Sequence, residues 1–298
     1  MCERIEGVEV ADRRVTRRRF LRWALSVPLG AAALAAGGLG YAYALEPDWL
    51  TVERVQVRVR ELPPTLDGLT VAHLSDLHWG AYTGPREVRG AVQKVNALLP
   101  DLVVLTGDYV LGSAEYATPC ARELSALRAP LGVFAIPGNH DYWTDIDVVA
   151  DQLRAAGLPL LRNAAHRLEI SDGQPLWLVG VDDVWERHHD LGAALDGVPL
   201  DEPVLLLVHE PDFADEVARA SHRILLLLAG HSHGGQVNLP LLGRPILPWL
   251  GRKYPAGLRA VPGSTLQVYT SRGIGVIAPP VRFNCRPEVA LLTLTHSG

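Results

Sequence analysis

Five short apolar runs in this chain each stop at a knot of polar residues, and no other feature restricts the fold as much. Leu69 to Leu74 runs into Ser75-Asp76-Leu77-His78, Leu102 to Thr106 into Gly107-Asp108, and Gly132 to Ile136 into Gly138-Asn139-His140-Asp141. Val204 to Val208 runs into His209-Glu210-Pro211-Asp212, and Ile224 to Leu228 into Gly230-His231-Ser232-His233. Short apolar runs bounded by glycine read as strands buried on both faces, as in parallel sheets. Between the first three runs lie helical patterns at Pro85 to Leu99, opened by proline in its first turn, and near Thr118 to Leu127. Strands and helices alternating at this spacing predict parallel βαβ units and an α/β fold. The carboxyl ends of such strands face one edge, where open α/β sheets place ligands, so five polar knots are expected to meet at one cleft.

The remaining pattern is mixed. A helix is predicted at Asp145 to Ala156, and further strands at His166 to Ile170, Pro175 to Val181, Thr265 to Tyr269 and Val289 to Leu294. Val52 to Arg60 alternates near period two and reads as a half-exposed edge strand. Two sheets flanked by helices accommodate this set.

Each knot has a plain reading by itself, since G-D and G-N-H-D are turn sequences and a lone histidine is seldom a ligand. Together they bring two carboxylates (Asp76, Asp108), one amide (Asn139) and four imidazoles (His78, His209, His231, His233), with His140 in addition. That much polarity is too costly to bury without a charge to satisfy it. Mixed oxygen and nitrogen donors suit first-row divalent metals. His231 and His233, two apart in extended chain, point to the same side, and the glycines around them let the backbone bend tightly. The other six histidines, His73, His166, His188, His189, His222 and His296, are expected to be structural or solvated.

The ordered set D-x-H, G-D, G-N-H-D, H, G-H-x-H, from Asp76 to His233, resembles the calcineurin-like metallophosphoesterase superfamily. Glu46-Pro47, "AGHSHGGQV", "KYPAGL" and "SRGIGVIAPPVRF" make it similar to the bacterial YkuE/YaeI-like phosphodiesterase branch over about residues 46 to 295. The resemblance implies a four-layer α-β-β-α sandwich of two mixed sheets flanked by helices. It also implies a centre of two divalent transition metal ions (Mn, Fe or Zn). Asp76, His78 and His233 would hold one ion, Asn139, His209 and His231 the other, and Asp108 would bridge them. Such ions can clamp a phosphate ester and turn a shared water into a hydroxide nucleophile, leaving His140 to protonate the departing alkoxide. Asp141 is expected to brace its turn. Protein phosphatases of the superfamily extend the second motif as G-D-x-x-D-R-G and carry glutamate at the position of Asp141. This chain has Gly107-Asp108-Tyr109-Val110-Leu111-Gly112-Ser113, so phosphoprotein specificity is not implied.

The N-terminus differs in kind from the rest of the chain. Residues 1 to 22 carry seven arginines and four acids, and Trp23 to Leu45 is a charge-free run long enough to cross a bilayer as an apolar helix. Thr16-Arg17-Arg18-Arg19-Phe20-Leu21-Arg22 resembles the twin-arginine export signal. The alternative is an ordinary anchor with a positive-inside flank, which predicts the same sidedness. Residues 1–45 are therefore expected to be a twin-arginine signal or membrane anchor, and 46–298 the metallophosphoesterase domain, on the outer face of the cytoplasmic membrane. Ala42-Tyr43-Ala44 fits a cleavage site, whereas the length of the run fits a retained anchor; the sequence leaves both open.

Removing residues 1–22 from the chain's 28 basic and 33 acidic side chains leaves 21 and 29, so no bulk attraction for nucleic acid is expected. The expected partners are a phosphate ester, lipid-linked esters included, the twin-arginine machinery and the membrane, with the chain acting as a monomer. Cys2, Cys120 and Cys285 are too few and scattered for a disulfide framework, although a Cys120 to Cys285 bridge remains open. Leu239 to Tyr254, which mixes Leu, Ile and Trp with Arg244, Arg252 and Lys253, reads either as an apolar and basic substrate flap or as a proline-braced loop packed on the sheet edge. Two other functions compete with a phosphodiesterase or phosphomonoesterase. One is a UDP-diacylglucosamine-type pyrophosphatase, disfavoured by export because such precursors are made on the cytoplasmic side. The other is a non-catalytic metal-containing envelope binding protein, disfavoured by His140.

Overall fold

The computed structural model describes residues 16–170 and 173–296, so the first part of the basic N-terminal segment, Cys2 included, lies outside the described residues. The helix α1 (Arg17–Ala44) begins within the twin-arginine-like sequence and runs through the apolar segment. The compact body begins at Ala42 and holds two mixed sheets.

The first sheet comprises β1 (Thr51–Val59), β2 (Thr70–Leu74), β3 (Leu102–Thr106), β4 (Val133–Ile136) and β11 (Glu288–His296), in the order β1-β11-β2-β3-β4. β2, β3 and β4 are parallel, as the βαβ rhythm requires, and β11 enters antiparallel to β2 and parallel to β1. The second sheet comprises β5 (Ala164–Glu169), β6 (Pro175–Gly180), β7 (Val204–Leu207), β8 (Ile224–Ala229), β9 (Gly257–Ala260) and β10 (Gln267–Thr270), in the order β5-β6-β7-β8-β10-β9. Its middle is parallel, with antiparallel strands at both edges.

Alternation along each strand divides the core into layers. Leu102 and Val104 of β3 meet Leu205 and Leu207 of β7 between the sheets, while Val103 and Leu105 face the helices α2 (Pro85–Leu98), α3 (Ala117–Leu124) and α5 (Ile146–Ala155). On the far side, Leu206 and Leu227 pack under the short helices α6 (Leu191–Ala194) and α7 (Ala214–Val217). The result is the expected α-β-β-α sandwich. β1 is an edge strand, its Arg54, Gln56 and Arg58 exposed and Val57 and Val59 buried.

Most boundaries fall within two residues of the sequence reading. α2 stops where Leu99 turns left-handed (φ 50°) before Pro100. α3 ends at Leu124, three residues before the expected Leu127. β9 has no counterpart in the sequence reading, because Gly257-Leu258-Arg259-Ala260 has neither alternation nor an apolar run, and it exists by pairing with β10. Cys120 and Cys285 are buried free thiols, which closes the question of a bridge between them.

His73, in β2, is wholly buried, with Nε2 2.7 Å from Thr106 Oγ1 and Nδ1 unpartnered, which burial tolerates only in a neutral ring. Burial pushes this imidazole from its ordinary 6.5 down to about 3. The unfolded chain therefore binds a proton that the folded one refuses, and stability falls as pH drops below 6.5 towards 3. By pH 5 this one group should remove about 2 kcal/mol. His73→Gln, which cannot take up that proton, should show a drop between pH 7 and pH 5 smaller by roughly that amount in urea unfolding. Equal drops would show that His73 does not carry the effect.

Candidate metal centre

The carboxyl ends of β2, β3, β4, β7 and β8 deliver the predicted residues, and hydrogen bonds between the loops lock them together. Asp76 N donates to Gly107 O (3.0 Å) and His78 N to Asp108 O (2.9 Å), joining the loops after β2 and β3. Asp141, in the first turn of α4 (Asn139–Thr144), accepts the backbone N–H groups of Gly138 (3.0 Å), Asp108 (2.9 Å) and Tyr109 (2.8 Å). It thus braces its own turn and the loop after β3 as well. His231 N donates to both oxygens of Asp76 (3.0 and 3.2 Å), which ties in the loop after β8. Gly230 is required beside that contact, because a Cβ there would overlap Ser75 Oγ and Asp76 Oδ2.

The seven predicted ligands are all buried. Asp108 stands at their centre, with Oδ2 3.3 Å from His78 Nε2 and 3.2 Å from His209 Nε2. On one side, His78 Nε2 lies 2.9 Å from His233 Nε2, which is 3.4 Å from Asp76 Oδ1. On the other, His209 Nδ1 lies 2.6 Å from Thr106 O, which turns Nε2 towards Asp108, while His231 Nδ1 is 3.0 Å from Asn139 Oδ1. His140, half-buried, anchors its backbone N–H on Asp108 Oδ1 (2.9 Å) and sets its ring edge-on to His78 and Trp143. All eight predicted residues thus come together, with Asp108, Asn139, His140, His231 and His233 lining the cleft and Asp76, His78 and His209 wholly buried behind them.

Charge in this cluster is unbalanced. Burial, with help from the Asp108 charge, pushes Asp76 up to about 7. Burial also pushes His78 and His231 down to about 3 and His233 well below its ordinary value. In His209 burial works in the same sense, but the Asp108 carboxylate outweighs it and raises the imidazole. Burial likewise acts against Asp108, which His209 and its neighbours nevertheless hold well below the usual carboxylate range.

Donor chemistry tests whether a cation fits. A neutral imidazole has one N–H, yet His231 faces an acceptor at each nitrogen, Asn139 Oδ1 and, at 2.8 Å, Trp249 O. His209 Nε2 is buried without an aligned hydrogen bond in spite of its nearness to Asp108. His78 and His233 direct Nε2 at each other. The donor atoms of Asp76, His78, Asp108 and His233 all lie within 4.8 Å of one another, which suits a small cation. The residues fit divalent metal.

Two parts of the surroundings were not legible as site residues. Glu210 is fully buried and accepts the backbone N–H groups of Val184 and Trp185, which brings Trp185 edge-on to His231. Arg282, also fully buried, donates to the carbonyls of Arg272, Gly275 and Cys285 and so curls residues 272–285 against the loop after β2. A single Trp or Arg in a loop carries no periodicity that would mark it. In the segment Leu239 to Tyr254 the end is tied down, with Asp212 accepting the N–H groups of Arg252 and Lys253, and Lys253 Nζ on Asp215. Its tip is open, with Leu241, Leu242 and Ile246 exposed. Arg244 donates to Gly234 O and, like Arg252 and Lys253, does not line the cleft, whereas Ile246, Leu247 and Pro248 do, so of the two readings of this segment the basic part of the flap finds no support.

Five of the seven predicted ligands have left-handed backbone: Asp76 (φ 51°), His78 (46°), Asp108 (57°), His231 (68°) and His233 (51°). That region is unfavourable for residues with a Cβ, so the cluster is held by its surroundings. His231→Gly and His231→Ala both delete the imidazole. The glycine variant should be more stable than the alanine variant by about 1 kcal/mol in denaturant unfolding, because only glycine adopts this φ without strain. The opposite order would contradict the strain.

Comparison with known proteins agrees with this geometry. Residues 69–235 match the model of the calcineurin-like phosphoesterase family. The uncharacterized metallophosphoesterase YkuE of Bacillus subtilis is 32% identical over 96% of this chain and 100% of its own length. The phosphodiesterase YaeI of Escherichia coli is 32% identical over 94% of this chain and 99% of its own. A transmembrane protein with metallophosphoesterase domain from Bos taurus is 33% identical over 94% of this chain and 64% of its own. From the shared domain and the near full-length matches to YkuE and YaeI, the chain belongs to the calcineurin-like metallophosphoesterase family.

Proposed function

We propose that this protein is a dinuclear metal-dependent phosphodiesterase held at the outer face of the membrane by its N-terminal helix. The observation that carries the dinuclear reading is the position of Asp108 Oδ2, flanked at 3.3 and 3.2 Å by imidazole nitrogens from two separate groups of donors. Asp76, His78 and His233 would hold one ion, Asn139, His209 and His231 the second, and Asp108 both. Divalent Mn, Fe or Zn bound there would supply positive charge for the phosphoryl oxygens and would lower the pKa of a water nucleophile. The chain's own residues do the rest. Thr106 O fixes the His209 tautomer, and Asp141 holds the backbone of Asp108 in place. A ring nitrogen of His140, which lines the cleft beside Asp108 and Asn139, gives its proton to the leaving oxygen.

Elemental analysis and kinetics on the same preparations test this reading. Asp108→Asn should lose metal and activity together. His140→Ala should keep its metal and lose about 10²–10⁴-fold in turnover on alkyl esters, and much less on 4-nitrophenyl esters, whose departure needs little protonation. A wild-type protein with only trace transition metal under metal-replete conditions refutes the dinuclear centre. Equal losses on both ester types remove His140 from the acid role.

For residues 1–45 we infer a retained anchor, delivered by the twin-arginine route. Leucines, Phe20 and Trp23 of α1 are exposed, an arrangement that calls for an apolar environment. Ala42 is buried and its carbonyl accepts the Arg282 N–H (2.8 Å), so cleavage after Ala44 would remove a residue built into the body. The mature protein should have the mass of the uncleaved chain in membrane fractions, and replacing Arg17 and Arg18 by Lys should leave it folded inside the cell. A mature N-terminus at Leu45 excludes retention, and normal delivery of the double-Lys protein excludes the twin-arginine route.

A further inference from the structure

The metal cluster forms only one wall of a cavity of about 670 Å³, a size suited to a small organic ligand. Asp108, Asn139, His140, His231 and His233 line that wall. Opposite and around it stand Leu111, Trp143, Trp185, Ile246, Leu247 and Ile277. Among the described residues that line the cavity, none is Lys or Arg.

Three of the polar side chains away from the metal wall, those of Gln236, Ser232 and Trp143, are already engaged. Gln236 Nε2 donates to Ile277 O and Pro279 O (both 3.2 Å), and its Oε1 accepts Ile277 N–H (2.8 Å). Ser232 Oγ donates to Pro255 O (2.6 Å) and accepts Gly234 N–H (3.1 Å). Trp143 Nε1 donates to Glu186 Oε1 (2.6 Å). The Trp185 ring stands edge-on to Trp143, His231 and Trp249, with centroids 5.4 to 5.7 Å away. A sugar or nucleoside entering this space would give up its water and find few partners, at about 1–3 kcal/mol for each unpaired group. An alkyl chain would gain from every methylene it buries.

Building on the phosphodiesterase reading, we propose that the substrate is a phosphate ester carrying an alkyl chain, with the chain in the cavity walled by Leu111, Trp143, Trp185, Ile246 and Ile277 and the phosphate against Asn139 and His140. Ile246, three-quarters exposed, marks the rim where the chain enters. The recognition is by size and apolarity, and the only polar anchor is the phosphate.

Two readouts on the full-length, metal-loaded protein test this. Tryptophan fluorescence, reported by Trp143 and Trp185, follows the binding of methyl, butyl and octyl phosphate below the concentrations at which they self-associate. Affinity should rise by about fourfold per buried methylene, the ratio to which ~0.8 kcal/mol corresponds, until the cavity is full. The same order should appear in kcat/KM for 4-nitrophenyl methyl phosphate and 4-nitrophenyl octyl phosphate, with the thymidine ester of 4-nitrophenyl phosphate below the octyl ester. Ile246→Asp, at a position exposed enough to spare folding, should cut the octyl-to-methyl ratio at least tenfold in both assays. Equal binding of methyl and octyl phosphate, or preferred hydrolysis of the thymidine ester, overturns the alkyl assignment and leaves the phosphodiesterase standing. Chain-length-dependent binding with no hydrolysis of any ester overturns the phosphodiesterase and leaves the alkyl site standing.

Discussion

Everything at the cleft depends on holding the Asp108 carboxylate in a dry place. Its Oδ1 takes the His140 N–H, its Oδ2 faces two imidazoles, and its own N–H is bound by Asp141. An isolated buried carboxylate would be intolerable, and each of these contacts offsets part of that cost. The surrounding loops are shaped accordingly. Left-handed backbone at Asp108 and four neighbouring ligands turns side chains inward that an ordinary strand exit would direct elsewhere. The strain is sustained by the two rigid sheets beneath, whose strand ends are fixed by fully buried cores.

Much of this was legible in the sequence because strand ends leave two marks at once. Leu102 to Leu105 is unbroken and apolar, and Thr106-Gly107-Asp108 follows at once, so the run gives the strand and its stop gives the site. The metal-type residues were readable because their chemistry is unusual at the end of a buried run. What stayed hidden is held by tertiary contact alone. β9 has no pattern of its own and exists through β10, and the walls of the cavity come from single residues of distant loops, such as Leu111, Trp185 and Ile277. Of the two readings of Leu239 to Tyr254, residue type alone could not choose, because it does not show that Lys253 is paired with Asp215.

Residues 271–285 behave as a second scaffold. Arg282 gathers carbonyls along this segment, and Gly273 and Gly275 let it lie against Asp76 and Leu77, where any side chain would collide. Glu46, buried just after α1, accepts the N–H groups of Asn284 and Cys285 and fastens the far end. The loop after β2 is thereby supported from both sides, by β3 and by this segment, which explains how Asp76 and His78 keep unfavourable backbone angles.

The place of β11 in the first sheet sets a clock on biosynthesis. Among the described residues β11 is the last strand in chain order, yet it lies between β1 and β2, and through Glu288 it also holds Tyr269 Oη and the Arg272 N–H. Until it emerges from the ribosome, β1 has no partner strand and β2 has one open edge. Non-local pairing of this kind delays closure of the sheet until both of its chain ends are present. A nascent chain that has not yet reached Glu288 thus carries its acids and imidazoles on an unfinished sheet, and the finished cleft needs both ends of the body.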